Sequence, residues 1–126
     1  MPIVGHGVDL VEVARIRAMI DEHGDRFLER CFTAGERAYG RESRRYVEHL
    51  AARFAAKEAA MKVLGTGLDQ GITWHDVEVT RSASGQPRLV VRGKAGEVAS
   101  VLGIARWWVS LSHTDAHAMA SVIGES

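Results

Sequence analysis

The residues of this sequence best suited to chemistry are an acid and a base four positions apart, Glu58 and Lys62. At that spacing both side chains lie on one face of a helix, with the acid in the favourable N-terminal position. A solvated surface ion pair would fit the same spacing. The flanking alanines let other backbone come close, which favours a crowded site that binds a ligand or a metal. They are Ala55, Ala56, Ala59 and Ala60.

A glycine-rich loop, Gly65-Thr66-Gly67, follows this helix. Glycine commonly ends a helix, and here it also leaves backbone N–H groups open to a phosphate or an amide-rich chain. The loop is not of the Walker type, because no Lys-Ser/Thr pair follows the glycines and the loop leaves a helix instead of entering one. The Gly-His-Gly at residues 5–7 lacks the third glycine of a dinucleotide fingerprint.

A second acid, Asp9, ends the first predicted strand. Alone, Asp9 would complement the dipole of the helix that follows. Together with Glu58 it supplies the carboxylates that Mg²⁺ takes from proteins, the other positions being left to water and phosphates. No His or Cys residues have the spacing of a zinc site, so an oxygen-ligand site is the better prediction for a metal.

An imidazole flanked by hydroxyls occurs near the C-terminus, where Ser112, His113 and Thr114 precede Asp115. A lone histidine at the end of a strand is most often structural. Beside hydroxyls and an acid, His113 could instead bind phosphate or move a proton.

The elements that position these residues can be predicted from periodicity and turn signals. Residues 33–36 fit a capping box, and Ser43 is a candidate cap for a long helix that ends at Gly65. The predicted strands are residues 3–10, 72–81, 88–92, 106–113 and 118–124, and the main predicted helices are residues 13–20, 44–64 and 94–102. The expected fold class is α+β, with the long helix packed on a mainly antiparallel sheet.

The composition is that of one ordinary globular domain, which we expect to span residues 1–126. No apolar run is long enough to cross a bilayer, and no signal peptide is evident at the N-terminus. A lone cysteine, Cys31, suits a reducing cytosol and is interpreted as a buried core thiol. Sixteen basic residues balance sixteen acidic ones, so the net charge does not indicate a nucleic-acid partner.

Together these stretches resemble the holo-acyl-carrier-protein synthases, the small type of 4′-phosphopantetheinyl transferase. The resemblance spans nearly the whole chain, and its central Arg-Phe-Ala-Ala-Lys-Glu-Ala block is highly specific. The matching positions are Gly5, Gly7, Asp9, Arg15 and Ile16; Arg53 to Ala59, Lys62 and Gly65 to Gly67; and Ser110 to Thr114, Ala118 and Ala120.

The resemblance implies a reaction in which a serine of apo-acyl carrier protein attacks the pantetheine-side phosphate of coenzyme A and releases adenosine 3′,5′-bisphosphate. It implies that Asp9 and Glu58 hold Mg²⁺, and that the metal and Lys62 neutralise charge on the transferring group. It further implies cytoplasmic homotrimers of fatty acid biosynthesis, with sites at subunit interfaces. The residues expected to contact coenzyme A are Arg44, Arg53, Gly65, Thr66, Gly67 and His113.

Three further assignments complete the expected reaction. The predicted proton acceptor is a metal-bound water oriented by Glu58, with His113 and Asp115 as alternatives. Arg44, aided by Arg41 or Arg45, is the predicted contact of the 3′-phosphate, because guanidinium matches phosphate bidentately. The predicted docking surface for the acidic carrier consists of Arg15 and Met19, which share one face of the first helix, while Ile16 and Ile20 turn toward the core.

Two other functions fit parts of the same pattern. A Mg²⁺-dependent phosphohydrolase would use Asp9 and Glu58 as metal ligands and water as its nucleophile. A non-catalytic module that binds coenzyme A or acyl carrier protein would bind without turnover. The complete set of acid, lysine and loop favours the transferase.

Overall fold

The computed structural model describes residues 2–126 and contains two antiparallel sheets and five helices in that range. The elements in chain order are β1 (Ile3–Glu12), α1 (Val13–His23), α2 (Asp25–Cys31), α3 (Ala34–Ala38), α4 (Tyr46–Leu64), a 3₁₀ turn (Trp74–Asp76), β2 (Val77–Arg81), β3 (Pro87–Val91), α5 (Gly93–Val101), β4 (Arg106–His113) and β5 (His117–Glu125). The predicted α+β class, with a long helix on an antiparallel sheet, is confirmed. None of the helices within residues 2–126 has the length and apolar character needed to cross a membrane.

The larger sheet has the strand order β1-β5-β4, and β2 and β3 form a separate hairpin. In the larger sheet Asp9 is paired with Ala120, and Ala120 is paired with Leu111 on the other side. This register places Asp9 on the face that packs against α4, together with the buried Gly7 and Val11.

Small residues let β1 and α4 come unusually close. A Cβ atom on Gly7 would overlap the carbonyl oxygen of Ala59, and one on Gly5 would lie 3.0 Å from Cγ1 of Val63. The matching surface of α4 carries alanines that are fully buried, among them Ala56 and Ala59. The alanine-rich sequence of α4 therefore brings Asp9 on β1 next to the helix face that carries Glu58 and Lys62.

A buried ion pair joins α3 and α4 to the hairpin. The predicted capping box is confirmed, with Glu36 accepting from the backbone N–H of Thr33 and Thr33 accepting from that of Glu36. Glu36 also lies 2.8 Å from Nζ of Lys57, and both of these side chains are fully buried. Lys57 donates further hydrogen bonds to the carbonyls of Trp74 and Val77. Sequence reasoning assigned no role to this pair.

Several predicted boundaries were wrong. Helix α4 begins after Arg45 without a side-chain cap, and Ser43 accepts a hydrogen bond from the Arg45 N–H in the preceding turn. The predicted strand at residues 72–81 begins only at Val77, because the 3₁₀ turn takes up the residues before it. Helix α2 was not predicted. It contains Cys31, whose buried position confirms a core thiol, and burial raises the pKa of that thiol.

Candidate active site

Asp9 and Lys62 meet where β1 crosses α4. The Nζ of Lys62 donates to Oδ1 of Asp9 at 3.0 Å and to the carbonyl of Val8 at 2.9 Å. The Asp9 side chain is largely buried, whereas that of Lys62 is more than half exposed. The ammonium is thus held by two acceptors on β1 and still faces solvent, where an anionic ligand can reach it. Sequence spacing suggested a Glu58–Lys62 ion pair, but the ion pair of Lys62 is with Asp9.

Glu58 is a half-buried carboxylate beside Asp9. Burial is the main cause that raises the pKa of Glu58, and the negative charge of Asp9 raises it further. The positive charges of Arg15 and Lys62 act in the opposite direction. Two acids and two bases from β1, α1 and α4 therefore converge at one place.

An open pocket of about 570 Å³ lies directly against this cluster. Its polar wall contains Glu58 and Lys62 and the glycines 65 and 67. Its apolar wall is formed by Met61, Leu68 and Trp74. Gly65 ends α4 in the left-handed conformation, at φ 77°, which favours glycine. The volume is in the range of small-molecule sites.

The donor set suits a hard divalent cation. Asp9 and Glu58 present two neighbouring carboxylates whose mutual repulsion a cation would relieve. Within residues 2–126 no group of three or more His, Cys, Asp and Glu side chains comes together as a metal site. Mg²⁺ does not need one, because it usually retains several water or phosphate ligands beside one or two carboxylates.

The predicted docking residues lie at the edge of the same cluster. Arg15 is exposed on α1, close enough to Glu58 to affect its pKa. Met19, one turn further along α1, lines a neighbouring groove of about 220 Å³ between α1 and α2. Three cationic or titratable residues share that groove, namely His23, Arg26 and Arg30. Ile16 is buried and Ile20 packs partly against the core, as predicted.

His113 does not lie with Glu58 in this chain. Its ring is 5.7 Å from that of His49, in an edge-to-face arrangement. His49 precedes Glu58 by nine residues on α4, so the two positions are about 13 Å apart along the helix axis. Burial is the main cause that lowers the pKa of His49, and the charge of Arg53 lowers it further.

The arginines predicted to bind coenzyme A have different surroundings. Arg45 is engaged with Asp115 at 2.6 Å and with Glu48 at 3.4 Å. The hydrogen bond from Arg45 lowers the pKa of Asp115. Arg44 is exposed on the turn before α4. Arg53 is 1% exposed and packs with its guanidinium carbon 4.1 Å from the ring centre of Tyr39.

Sequence reasoning missed two features near these residues. Trp74 stacks on Phe54, with ring centres 4.8 Å apart, and forms a wall of the large pocket. The guanidinium of Arg81 lies 5.2 Å from the ring of Tyr39, the same ring that Arg53 contacts. Tyr39 and Arg81 are distant in sequence and fall outside the recognisable motifs, so no local pattern marks them.

Comparisons with known proteins give matches over nearly the whole chain. Residues 5–120 match the 4′-phosphopantetheinyl transferase superfamily. The holo-[acyl-carrier-protein] synthase of Koribacter versatilis is 53% identical over 123 residues, covering 98% of this chain and 98% of the relative. The crystal structure of the Neisseria meningitidis holo-[acyl-carrier-protein] synthase has a TM-score of 0.88 at 31% identity, covering 99% of this chain and all of that one.

A third relative was solved with a ligand. The holo-(acyl-carrier-protein) synthase of Bacillus anthracis, in complex with coenzyme A (3′,5′-ADP), has a TM-score of 0.79 at 35% identity, covering 98% of this chain and 97% of that one. The sequence similarity and the structural similarity both extend over nearly the whole chain. This chain belongs to the holo-acyl-carrier-protein synthases of the 4′-phosphopantetheinyl transferase superfamily.

Proposed function

We propose that this chain transfers the 4′-phosphopantetheine group of coenzyme A to a serine of apo-acyl carrier protein, using Mg²⁺, in the cytoplasm. The other product is adenosine 3′,5′-bisphosphate. The main support for this proposal is the position of Asp9, Glu58 and Lys62, which lie together beside the 570 Å³ pocket. Membership of the family supplies the substrates.

The chemistry is a displacement at phosphorus. The serine oxygen forms a bond to the pantetheine-side phosphorus, and the bond from that phosphorus to the bridging oxygen of the nucleotide breaks. Lys62 stabilises the negative charge on the transferring group, because its ammonium is fixed by Asp9 and the Val8 carbonyl yet remains exposed. The Gly65–Gly67 loop and Trp74 enclose the pocket beside it.

Asp9 and Glu58 would hold the Mg²⁺ ion, which when bound supplies positive charge to the pyrophosphate of the donor. That positive charge would offset the repulsion between the two carboxylates, which lie close together in a partly buried position.

Glu58 is the best placed of the proposed groups to accept or orient the serine proton. It lines the pocket, where burial and the neighbouring charge of Asp9 raise the pKa of its carboxyl. Asp115 is held by Arg45, which lowers its pKa and makes it a weaker base. His113 lies against His49, away from Glu58 in the same chain.

His113 lies beside His49, away from Glu58 in the same chain. This separation is consistent with the homotrimer that the family resemblance implies, in which a donor would contact Glu58 of one copy and His113 of another. The outer face of the larger sheet offers a surface for such an assembly, with Leu10 65% exposed and Trp108 49% exposed. Val8 and Met119 are exposed as well. Light scattering on the purified protein should give three times the chain mass, and a monomer active at the same concentration would contradict the assembly.

The docking proposal predicts a selective effect of Arg15→Glu. The substitution replaces a positive charge beside the pocket with a negative one, so it should raise the KM for an acidic carrier roughly tenfold by slowing encounter and adding repulsion. The KM for coenzyme A should change much less, and the wild-type KM for the carrier should rise with salt. Steady-state kinetics with each substrate varied in turn measures both KM values.

The control for this prediction is Arg88→Glu, which changes an exposed arginine on β3. An unchanged KM for the carrier in Arg15→Glu would remove α1 from the docking surface.

The products distinguish the transferase from the two other functions. Adenosine 3′,5′-bisphosphate should appear only when apo-carrier and Mg²⁺ are both present, and EDTA should stop its release. Release of inorganic phosphate without carrier would indicate a phosphohydrolase. Binding of coenzyme A with no product under any condition would indicate a binding module.

A further inference from the structure

The outer face of the larger sheet, which turns away from α4, carries exposed apolar side chains. Successive side chains of a strand point to opposite faces of its sheet, and on β1 the even-numbered residues from 4 to 12 are exposed. The exposed apolar side chains of this face include Val8, Leu10, Trp108 and Met119. Neighbouring apolar side chains that remain exposed in this way mark an interaction surface.

A histidine lies within this apolar face. His6 of β1 is opposite Ile123 of β5, which in turn is opposite Trp108 of β4. The Nε2 of His6 is 2.8 Å from the hydroxyl of Ser121, the adjacent outward-facing residue of β5. A neutral imidazole is well served by this hydrogen bond. A charged imidazole donates from both of its nitrogens, and Ser121 can accept only one of these two bonds.

The charged groups of the outer face lie toward its two ends. At one end, Glu125 of β5 is engaged with Nε of Arg106 at 3.4 Å. At the other end, Glu12 of β1 is opposite His117 of β5 in the strand register. The acid at each end therefore has a basic residue beside or opposite it, whereas His6 is bound to a neutral hydroxyl.

A second copy of this chain is the expected cover of the outer face. In the proposed homotrimer a donor contacts Glu58 of one copy and His113 of another. His113 is the last residue of β4, a strand of this same sheet. An assembly that shares His113 therefore brings the sheet to the boundary between copies. Covering the outer face there would remove water from His6, which is exposed in the single chain.

We propose that His6 makes the assembly of this chain sensitive to pH, so that the copies separate as the solution becomes acidic. This inference rests on the homotrimer of the proposed function and adds a control over it. Covering a neutral imidazole bound to Ser121 costs little, whereas burying a charged imidazole with no acid paired to it is costly. The proton therefore binds more readily to the separated chain, and proton uptake favours separation. Histidine is the side chain whose charge ordinarily changes between about pH 5 and 8.

The test is the molar mass of the protein at about pH 8 and about pH 5.5, measured by light scattering after gel filtration without substrates. The wild type should have three times the chain mass at the higher pH and mostly the single-chain mass at the lower pH. Each His6 that must release a proton weakens association up to about tenfold per pH unit, so three copies give up to about a thousandfold. Circular dichroism at both pH values should show the same folded chain.

The variant His6→Gln removes the titrating group and keeps a side chain that can bind Ser121. It should have three times the chain mass at both pH values. His23→Gln changes an exposed histidine on α1 that lies 3.8 Å from Glu22, away from the larger sheet, and should respond to pH as the wild type does. His117→Gln, at the far end of the outer face, should also respond as the wild type does.

The outcomes separate this inference from the proposed function. A wild type that stays assembled at both pH values would overturn the role of His6 and leave the homotrimer standing. Separation of His6→Gln at the lower pH to the same extent as the wild type would overturn that role as well. A response lost in His117→Gln but kept in His6→Gln would move the sensitivity to the end of the face at Glu12. A wild type with the single-chain mass at both pH values would contradict the homotrimer and the role of His6 with it.

Discussion

Glu58→Gln should abolish most transferase activity without weakening the fold. The amide keeps the size and shape of the side chain but removes the negative charge that we assign to holding Mg²⁺ and to handling the serine proton. Loss of one such electrostatic group typically costs about 10²–10³ in kcat. The free energy of unfolding should stay level or rise slightly, because the repulsion between Glu58 and Asp9 disappears. Initial rates with saturating coenzyme A and carrier, followed by urea unfolding of the same preparation, measure both quantities.

A matched control separates a site effect from a general change of charge. Glu97→Gln removes an exposed glutamate on α5 that pairs only weakly with Lys94, at 3.6 Å. Its rate and stability should remain close to wild type. Near-normal turnover of a folded Glu58→Gln variant would show that the carboxylate beside Asp9 is not part of the reaction.

Lys57→Met should lower the stability of the fold far more than Arg15→Glu or Glu58→Gln. Lys57 is fully buried and is paired at 2.8 Å with the equally buried Glu36. Removing it leaves a buried carboxylate without its partner and the carbonyls of Trp74 and Val77 without a donor. Breaking such a pair costs about 3–5 kcal/mol. The urea midpoint should fall accordingly, with little change in the slope of the transition.

The double substitution Glu36→Gln/Lys57→Met tests whether the lost charge is the cause. Without a buried carboxylate, the double variant should be less destabilised than the sum of the two single variants. Lys94→Met, at an exposed position on α5, is the control and should change stability by less than about 0.5 kcal/mol. A loss below about 1 kcal/mol in Lys57→Met would contradict the structural role of the pair.

The sequence predicted the parts of the site whose signals are local. Helix periodicity and the family motif placed Glu58, Lys62 and the Gly65–Gly67 loop together, and they do line one pocket. Asp9 was joined to Glu58 because Mg²⁺ takes one or two protein carboxylates and because the family resemblance implies that the two acids hold it together. The structure shows the physical reason, since a Cβ on Gly7 would overlap the carbonyl oxygen of Ala59.

The remaining features depend on contacts between residues far apart in sequence. In the sequence Lys57 belongs to a charged motif. Its burial becomes evident only in the structure, where α3 supplies Glu36 and the 3₁₀ turn and the first residue of β2 each supply a carbonyl. Arg81 meets Arg53 only because the hairpin folds beside α4. The start of β2 was predicted five residues too early, since Ile72, Thr73 and Trp74 are residue types that favour strands but do not pair with β3. Side-chain periodicity records none of these contacts.

The measurement that tests the central claim most directly is the intact mass of an apo-acyl carrier protein after incubation with this chain, coenzyme A and Mg²⁺. The account predicts that the carrier gains the mass of one phosphopantetheine group and that peptide fragmentation places it on a single serine. The gain should be absent with Glu58→Gln and with EDTA, and present with Glu97→Gln. A carrier that keeps its original mass with the wild-type protein, under conditions where a known transferase modifies it fully, would contradict the assignment.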